Sequence, residues 1–172
     1  SFVTIVISAG WTVGTFGVSS WTGLKERLAL LVGPPFMLAG LAIITLTAEA
    51  PLLWMLTAGA FLLGLGIGTH NVHMVARTMA GAERGEERIT ASATTSMRTL
   101  GSAFGAAMAG MLATIGGLTD VTQAAVVGSA VTFVYGVALI PLSLTVVFMV
   151  WLVRLWSPTG PVNPSASLGT RS

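Results

Sequence analysis

Residues 51–79 read PLLWMLTAGAFLLGLGIGTHNVHMVARTM, a stretch with no charged residue before Arg77. A helix rises ~1.5 Å per residue and a bilayer core of ~30 Å takes ~20 of them, so this stretch is long enough to cross. Its apolar positions run on continuously instead of alternating, which selects a helix over a barrel strand. Pro51 suits a first helical turn, where a missing N–H removes no bond. Toward the end, Thr69, His70, Asn71 and His73 set polar side chains where the surroundings should be dry.

The rest of the chain has the same character. Of its 172 residues 53% are hydrophobic and 8% charged, and the mean hydropathy is +0.86. Soluble domains carry ~25% charged residues, so this chain has too few charges to cover a surface in water. It reads as an all-α integral membrane protein of five transmembrane helices, with the lipid bilayer as a partner. The predicted spans are 2–21, 28–47, 51–79, 89–115 and 124–156, so that 1–156 form one helical bundle. Pro34-Pro35 marks a kink or a late start of the second helix, and Pro141 a bend in the over-long fifth. The stretch 157–172, SPTGPVNPSASLGTRS, is rich in Pro, Ser and Gly and reads as a disordered tail. No charged segment precedes the first apolar run, which is expected to be a span entered part-way through a longer protein.

Several functions are excluded by composition. The absence of cysteine removes disulfides, thiol chemistry and cysteine-ligated metal sites. The pI near 9.9 rests on eight Lys and Arg against six Asp and Glu. No basic cluster interleaved with aromatic residues accompanies it, so nucleic acid is not an expected partner.

Charge also orients the chain. Lys25, Arg27, Arg77, Arg84 and Arg88 fall on one side of alternately threaded spans, in or beside the predicted loops 22–27 and 80–88. Arg154 and Arg171 join them after the fifth span, whereas the connectors 48–50 and 116–123 carry no basic residue. Basic residues favour the cytoplasmic side. The expected topology therefore has the N-terminal end outside and the C-terminal end cytoplasmic, in a multi-pass protein of the cell membrane. Trp21, Trp151 and Trp156 stand at cytoplasmic ends, where aromatic anchors are common.

Helical spacing of ~100° per residue sorts the side chains into faces. Gly59, Leu63, Gly66, His70, His73 and Arg77 share one face of the third helix; Phe61, Leu65, Val72, Val75 and Met79 form the opposite, lipid-directed one. In the fourth helix Ala91, Thr94, Arg98, Gly101, Ser102, Gly105 and Ala109 oppose Leu100, Phe104, Ala107 and Met111. Glycines four apart, Gly10 and Gly14, Gly64 and Gly68, Gly101 and Gly105, let helix backbones approach closely and mark helix packing. The GLGIG at 64–68 lacks the strand of a nucleotide fingerprint, and no cofactor is expected.

His70 and His73 admit three roles: hydrogen bonds to neighbouring helices, a substrate or proton path, or metal ligation. A metal needs further ligands, and none is well placed; nor does a nucleophile–base–acid set accompany the histidines, so no enzyme is expected. Arg98 lies ten residues, or ~15 Å of helix, beyond Arg88. A charge at that depth marks function by default, although a clamp on carbonyls is the rival reading.

ASATTSMRTLGSAFGAAMAG, residues 91–110, resembles the penultimate helix of major facilitator superfamily exporters, in the fourteen-helix drug:proton antiporter branch. The shared features are a run of small residues, Arg98, then Gly101 and Gly105. FLLGLGIGTHNVHM, 61–74, is similar to that branch's Gly-rich antepenultimate helix. TGLKERLALLVG, 22–33, resembles the superfamily's cytoplasmic loop motif, retaining Gly23 and the Glu26-Arg27 pair but not the usual Gly-Arg-Arg after it. The resemblance implies the last five helices of a proton-coupled antiporter, part of the C-terminal half of its fold. Small-molecule substrate, protons and the missing N-terminal helices of the same transporter would be its partners. It implies that His70, His73, Arg77 and Arg98 line or close the transport path. The residues also admit a membrane-embedded structural or assembly subunit whose helices only pack.

Overall fold

The computed structural model describes residues 2–49, 52–118 and 122–155. Five helices follow in order: α1 Phe2–Val18, α2 Leu24–Thr47, α3 Leu53–Ala80, α4 Glu87–Ile115 and α5 Ala124–Leu155. No strand occurs among the described residues, and the all-α expectation holds. Pro51, Asp120, Trp156 and the tail predicted over 157–172 lie outside them.

The chain is a membrane-embedded helical protein, but its helices are not equal. α2, α3 and α5 are each long and apolar enough to cross a membrane. Of the other two predicted spans, α1 has 17 residues and stops at Val18, short of Trp21. α4 has 29 residues, and Glu87, Arg88, Arg98 and many hydroxyls dilute its apolar character.

The two charged loops are shorter than predicted, whereas the connector between α2 and α3 is longer. α2 begins at Leu24, so Lys25, Glu26 and Arg27 sit in a helical turn and not in a loop. Gly23 precedes them with φ of 62°, a left-handed conformation that side chains disfavour. α2 then runs through Pro34 and Pro35 without a break. Its helix therefore starts well before the prolines, and the late start is excluded.

α3 is the axis. It runs parallel to α1 and antiparallel to α2, and both neighbours meet it backbone to backbone. A methyl group added at Gly10 would strike the carbonyl of Phe61, and one at Gly14 the amide of Thr69 at 3.0 Å. In return, added methyls at Gly64 and Gly68 would overlap the carbonyls of Ile7 and Trp11. On the α2 side Gly40 abuts Gly59, Gly33 abuts Gly66 and the Cβ of His70, and Gly66 abuts Met37. Within lipid there is no hydrophobic force between helices, so such close packing is the main attraction.

This double flanking corrects the predicted lipid face of α3. Phe61 and Leu65 border α1, and all of Phe61, Leu65, Val72, Val75 and Met79 are half-buried. α5 closes on α2 at both ends. Gly128 meets the carbonyl of Ala48, while Met149 and Val153 enclose Leu30 in a small core with Leu31, Met74 and Leu152 around it.

α4 differs from the rest, for none of its residues is buried. Thr90, Thr94, Met108 and Leu112 are half-buried, and Thr94, Gly101 and Met108 follow one another by sevens along one side of the helix. At Gly101 and Gly105 an added methyl would meet nothing within 4 Å. The predicted packing role of this glycine pair is thus not met among the described residues. α4 touches its neighbours toward its ends and leaves its middle open.

Gly64→Ala should destabilise the solubilised protein by ~1–3 kcal/mol, because its methyl must displace backbone. Gly17→Ala, facing open space, should be neutral or raise stability by up to ~1 kcal/mol through helix propensity. Thermal unfolding in detergent, followed by monodispersity, compares the two. Equal midpoints would refute the α1–α3 contact.

Candidate functional site

The alternating helix directions bring the basic ends of α2, α3 and α5, together with the C-terminal end of α1, to one end of the bundle. There Glu26, in the first turn of α2, meets Arg77, in the last turn of α3. Arg77 donates through Nε to Oε1 of Glu26 at 2.5 Å and through Nη2 to Oε2 at 3.1 Å. This two-pronged fit suits the planar guanidinium, and each charge also lies at the helix end whose dipole favours it. The side chains are 24% and 15% exposed, so the pair is neither fully wet nor buried.

One turn deeper, His73 is buried and its Nε2 lies 3.0 Å from the carbonyl of Val18. A carbonyl can only accept, so Nε2 carries the proton. Val18 ends α1, where carbonyls lack partners within their own helix. The same oxygen also accepts from the Trp21 amide at 2.9 Å. His73 thereby ties the end of α1 to α3, the first of the three roles its sequence admitted.

His70 occupies the α2–α3 seam against Gly33. Pro34 has no N–H to give the carbonyl of Leu30, four residues before it. That carbonyl faces the His70 ring. The ring's Nδ1 is buried without a hydrogen-bond partner among the described residues. An imidazole beside a proline-freed carbonyl is a way to restore backbone bonding between membrane helices. The orphan nitrogen remains as acceptor or donor capacity that the fold does not use.

Arg98 stands apart from this cluster. It is exposed in the open middle of α4, in a shallow groove with Thr95, Thr99, Ser102, Ala103 and Ala106, all of the same helix. Thr94, Thr95 and Thr99 bond back to the carbonyls of Thr90, Ala91 and Thr95. Their donors are thus satisfied locally, while Arg98 has no hydrogen-bond or ion-pair partner among the described residues.

The structure therefore joins Gly23, Glu26, Arg77, His70 and His73 at one end and leaves Arg98 by itself. Sequence reasoning placed Glu26 in a loop motif and Arg77 in a path without pairing them. The available signal was their opposite charge at facing ends of consecutive helices. It set Gly59 and Gly66 on the inward face of α3 but missed their partners Gly33 and Gly40, whose spacing of seven was the clue.

Comparison with known protein families, curated proteins and solved structures finds no match to this chain.

A double-mutant cycle with Glu26→Gln and Arg77→Gln should return a coupling of ~1 kcal/mol in unfolding free energy, modest because both groups are partly solvated. Additive effects would remove the pair as a tie. His73→Ala should cost ~1–3 kcal/mol by stranding a buried carbonyl, whereas His73→Gln, which keeps an N–H, should cost less.

Proposed function

We propose that this chain is the C-terminal portion of a proton-coupled secondary active transporter of the major facilitator type. It would export drugs or other small molecules across the cytoplasmic membrane and perform no enzymatic reaction. The observation that carries this reading is α4, a helix of 29 residues without one buried residue. Its open middle holds a guanidinium, hydroxyls and glycines, a set that suits an aqueous cavity or another polar helix and not lipid. In this reading α4 lines the route for substrate, facing helices of the other half of the transporter. Arg98 stays charged through the cycle and holds an anionic group or carbonyls. The Glu26–Arg77 pair and the two histidines brace the inner end, where His70 keeps a ring nitrogen available to protons.

The tightly packed α1–α2–α3 unit favours a second reading, a structural or assembly subunit with no transport of its own. Reconstitution separates them. With the whole protein in vesicles, normalised to folded material, Arg98→Ala should lower transport about tenfold, the equivalent of ~1.4 kcal/mol. His70→Gln should flatten the pH response of transport over about pH 5.5 to 8, the range around an ordinary histidine pKa. Vesicles without substrate movement in the unsubstituted protein would leave the subunit reading. Full transport in Arg98→Ala would reduce that residue to a solvated charge.

The same reading places the basic end in the cytoplasm. The chain has no cysteine, so single substitutions report cleanly. Glu49→Cys should react with an impermeant thiol reagent in intact cells, and Gly81→Cys should react only after the membrane is opened. The reverse pattern would invert the topology.

A further inference from the structure

A groove separates α2 from α5 at the basic end of the bundle, and its lining divides by chemistry. Two cations, Arg27 and Arg154, share its lining with the apolar Leu24, Leu28, Leu31, Val150 and Val153. The spacing explains the division. On α2, Arg27 stands one turn from Leu31, and on α5 Arg154 stands one turn from Val150, so both cations are at the same level. No acidic side chain lines the groove among the described residues. Trp151 is exposed one turn before Arg154 and stacks at a tilt on Phe148, with ring centroids 5.8 Å apart. Tryptophans gather at the headgroup level of a bilayer, which puts the two guanidiniums at phosphate depth.

We infer that this groove binds an anionic phospholipid, its phosphate between Arg27 and Arg154 and an acyl chain along Leu28, Leu31, Val150 and Val153. The complementarity has two parts. Guanidinium forks fit phosphate oxygens, and basic pockets between membrane helices are suited to acidic headgroups. The apolar walls below them continue into the closed core of Leu30, Met149 and Val153, so a chain lying there meets a firm surface. The site depends on the chain being embedded in a membrane and not on transport. A lipid held across α2 and α5 would fasten the fifth helix to the rest at the end where Met149 and Val153 are its buried residues.

Native mass spectrometry of the protein purified in mild detergent tests this with phosphatidylglycerol, phosphatidylcholine and soluble glycerol phosphate as probes. Retention of one phosphatidylglycerol, with phosphatidylcholine lost, is expected. The double variant Arg27→Gln, Arg154→Gln should reduce that retention about tenfold or more, since two basic groups at the membrane surface are removed. Leu28→Trp, which fills the groove from an exposed position, should also reduce it. Arg84→Gln with Arg88→Gln should leave it unchanged, because those residues lie in and beside the α3–α4 loop. Helical content measured on each variant ensures that only folded protein is counted. Equal retention of both lipids, equal loss in the Arg84 and Arg88 variant, or displacement of the lipid by glycerol phosphate would each overturn the assignment. Failure of transport in the same protein would not bear on it.

Discussion

The closeness of α3 to its two neighbours governs everything else in this molecule. Helix axes come near enough for backbone to touch backbone only where side chains are missing. Gly10 and Gly14 oppose Gly64 and Gly68 on one side, and Gly33 and Gly40 oppose Gly59 and Gly66 on the other. Because α3 uses two different rows of glycine, it holds α1 and α2 at once. The contacts fix register as well as distance, since a shift of one residue would drive a side chain into a carbonyl. Once the register is fixed, the ends follow: Val18 arrives at His73, and Glu26 at Arg77.

Dry surroundings impose a second demand, that every polar group find a partner. The threonines meet it within their own helices, as Thr45, Thr57, Thr69 and Thr145 do by bonding the carbonyl four residues back. This is how sequences with many hydroxyls remain compatible with lipid. Groups at seams use neighbours instead. The carbonyl freed by Pro34 faces His70, and the last carbonyl of α1 accepts a hydrogen bond from His73. The histidines that look out of place in an apolar sequence therefore stand where the backbone itself needs attention. Among the described residues the buried atom this accounting leaves over is the Nδ1 of His70; Arg98, exposed on α4, has no partner there either.

The five helices were legible in the sequence because apolar run length is a property of the chain alone. Their ends were less so. The run of charges at 24–27 looked like loop, yet Glu26 at a helix N-terminus is favoured by the dipole and the turn forms. Faces were read by periodicity, which tells where small residues gather but not what meets them. For α3 that produced a lipid face including Phe61 and Leu65, which the Gly64–Gly68 row turns toward α1. The Glu26–Arg77 pair, 51 residues apart in sequence, depends on the register of α2 against α3, and no local pattern encodes that.

Gly64 with Gly68 and Gly101 with Gly105 are the same motif in sequence and have opposite fates in space. The first pair is sealed by α1, so its smallness is used up in holding the bundle together. The second faces open space on a helix whose half-buried residues lie toward its ends. Glycine in an exposed helix interior weakens it by ~1 kcal/mol relative to alanine and gives no packing in return. A helix carrying that weakness, together with an exposed arginine at its middle, is better held where another surface meets that middle. The local rule that succeeds for α1 and α3 thus fails at α4, and failures of this kind gather where a protein's surface is shaped for use and not for stability. On the proposed reading the missing contact is the moving one. A face that must separate and close again cannot be sealed as tightly as the seam of α1 and α3. Glycines at 101 and 105 would let a second surface approach closely without locking into place.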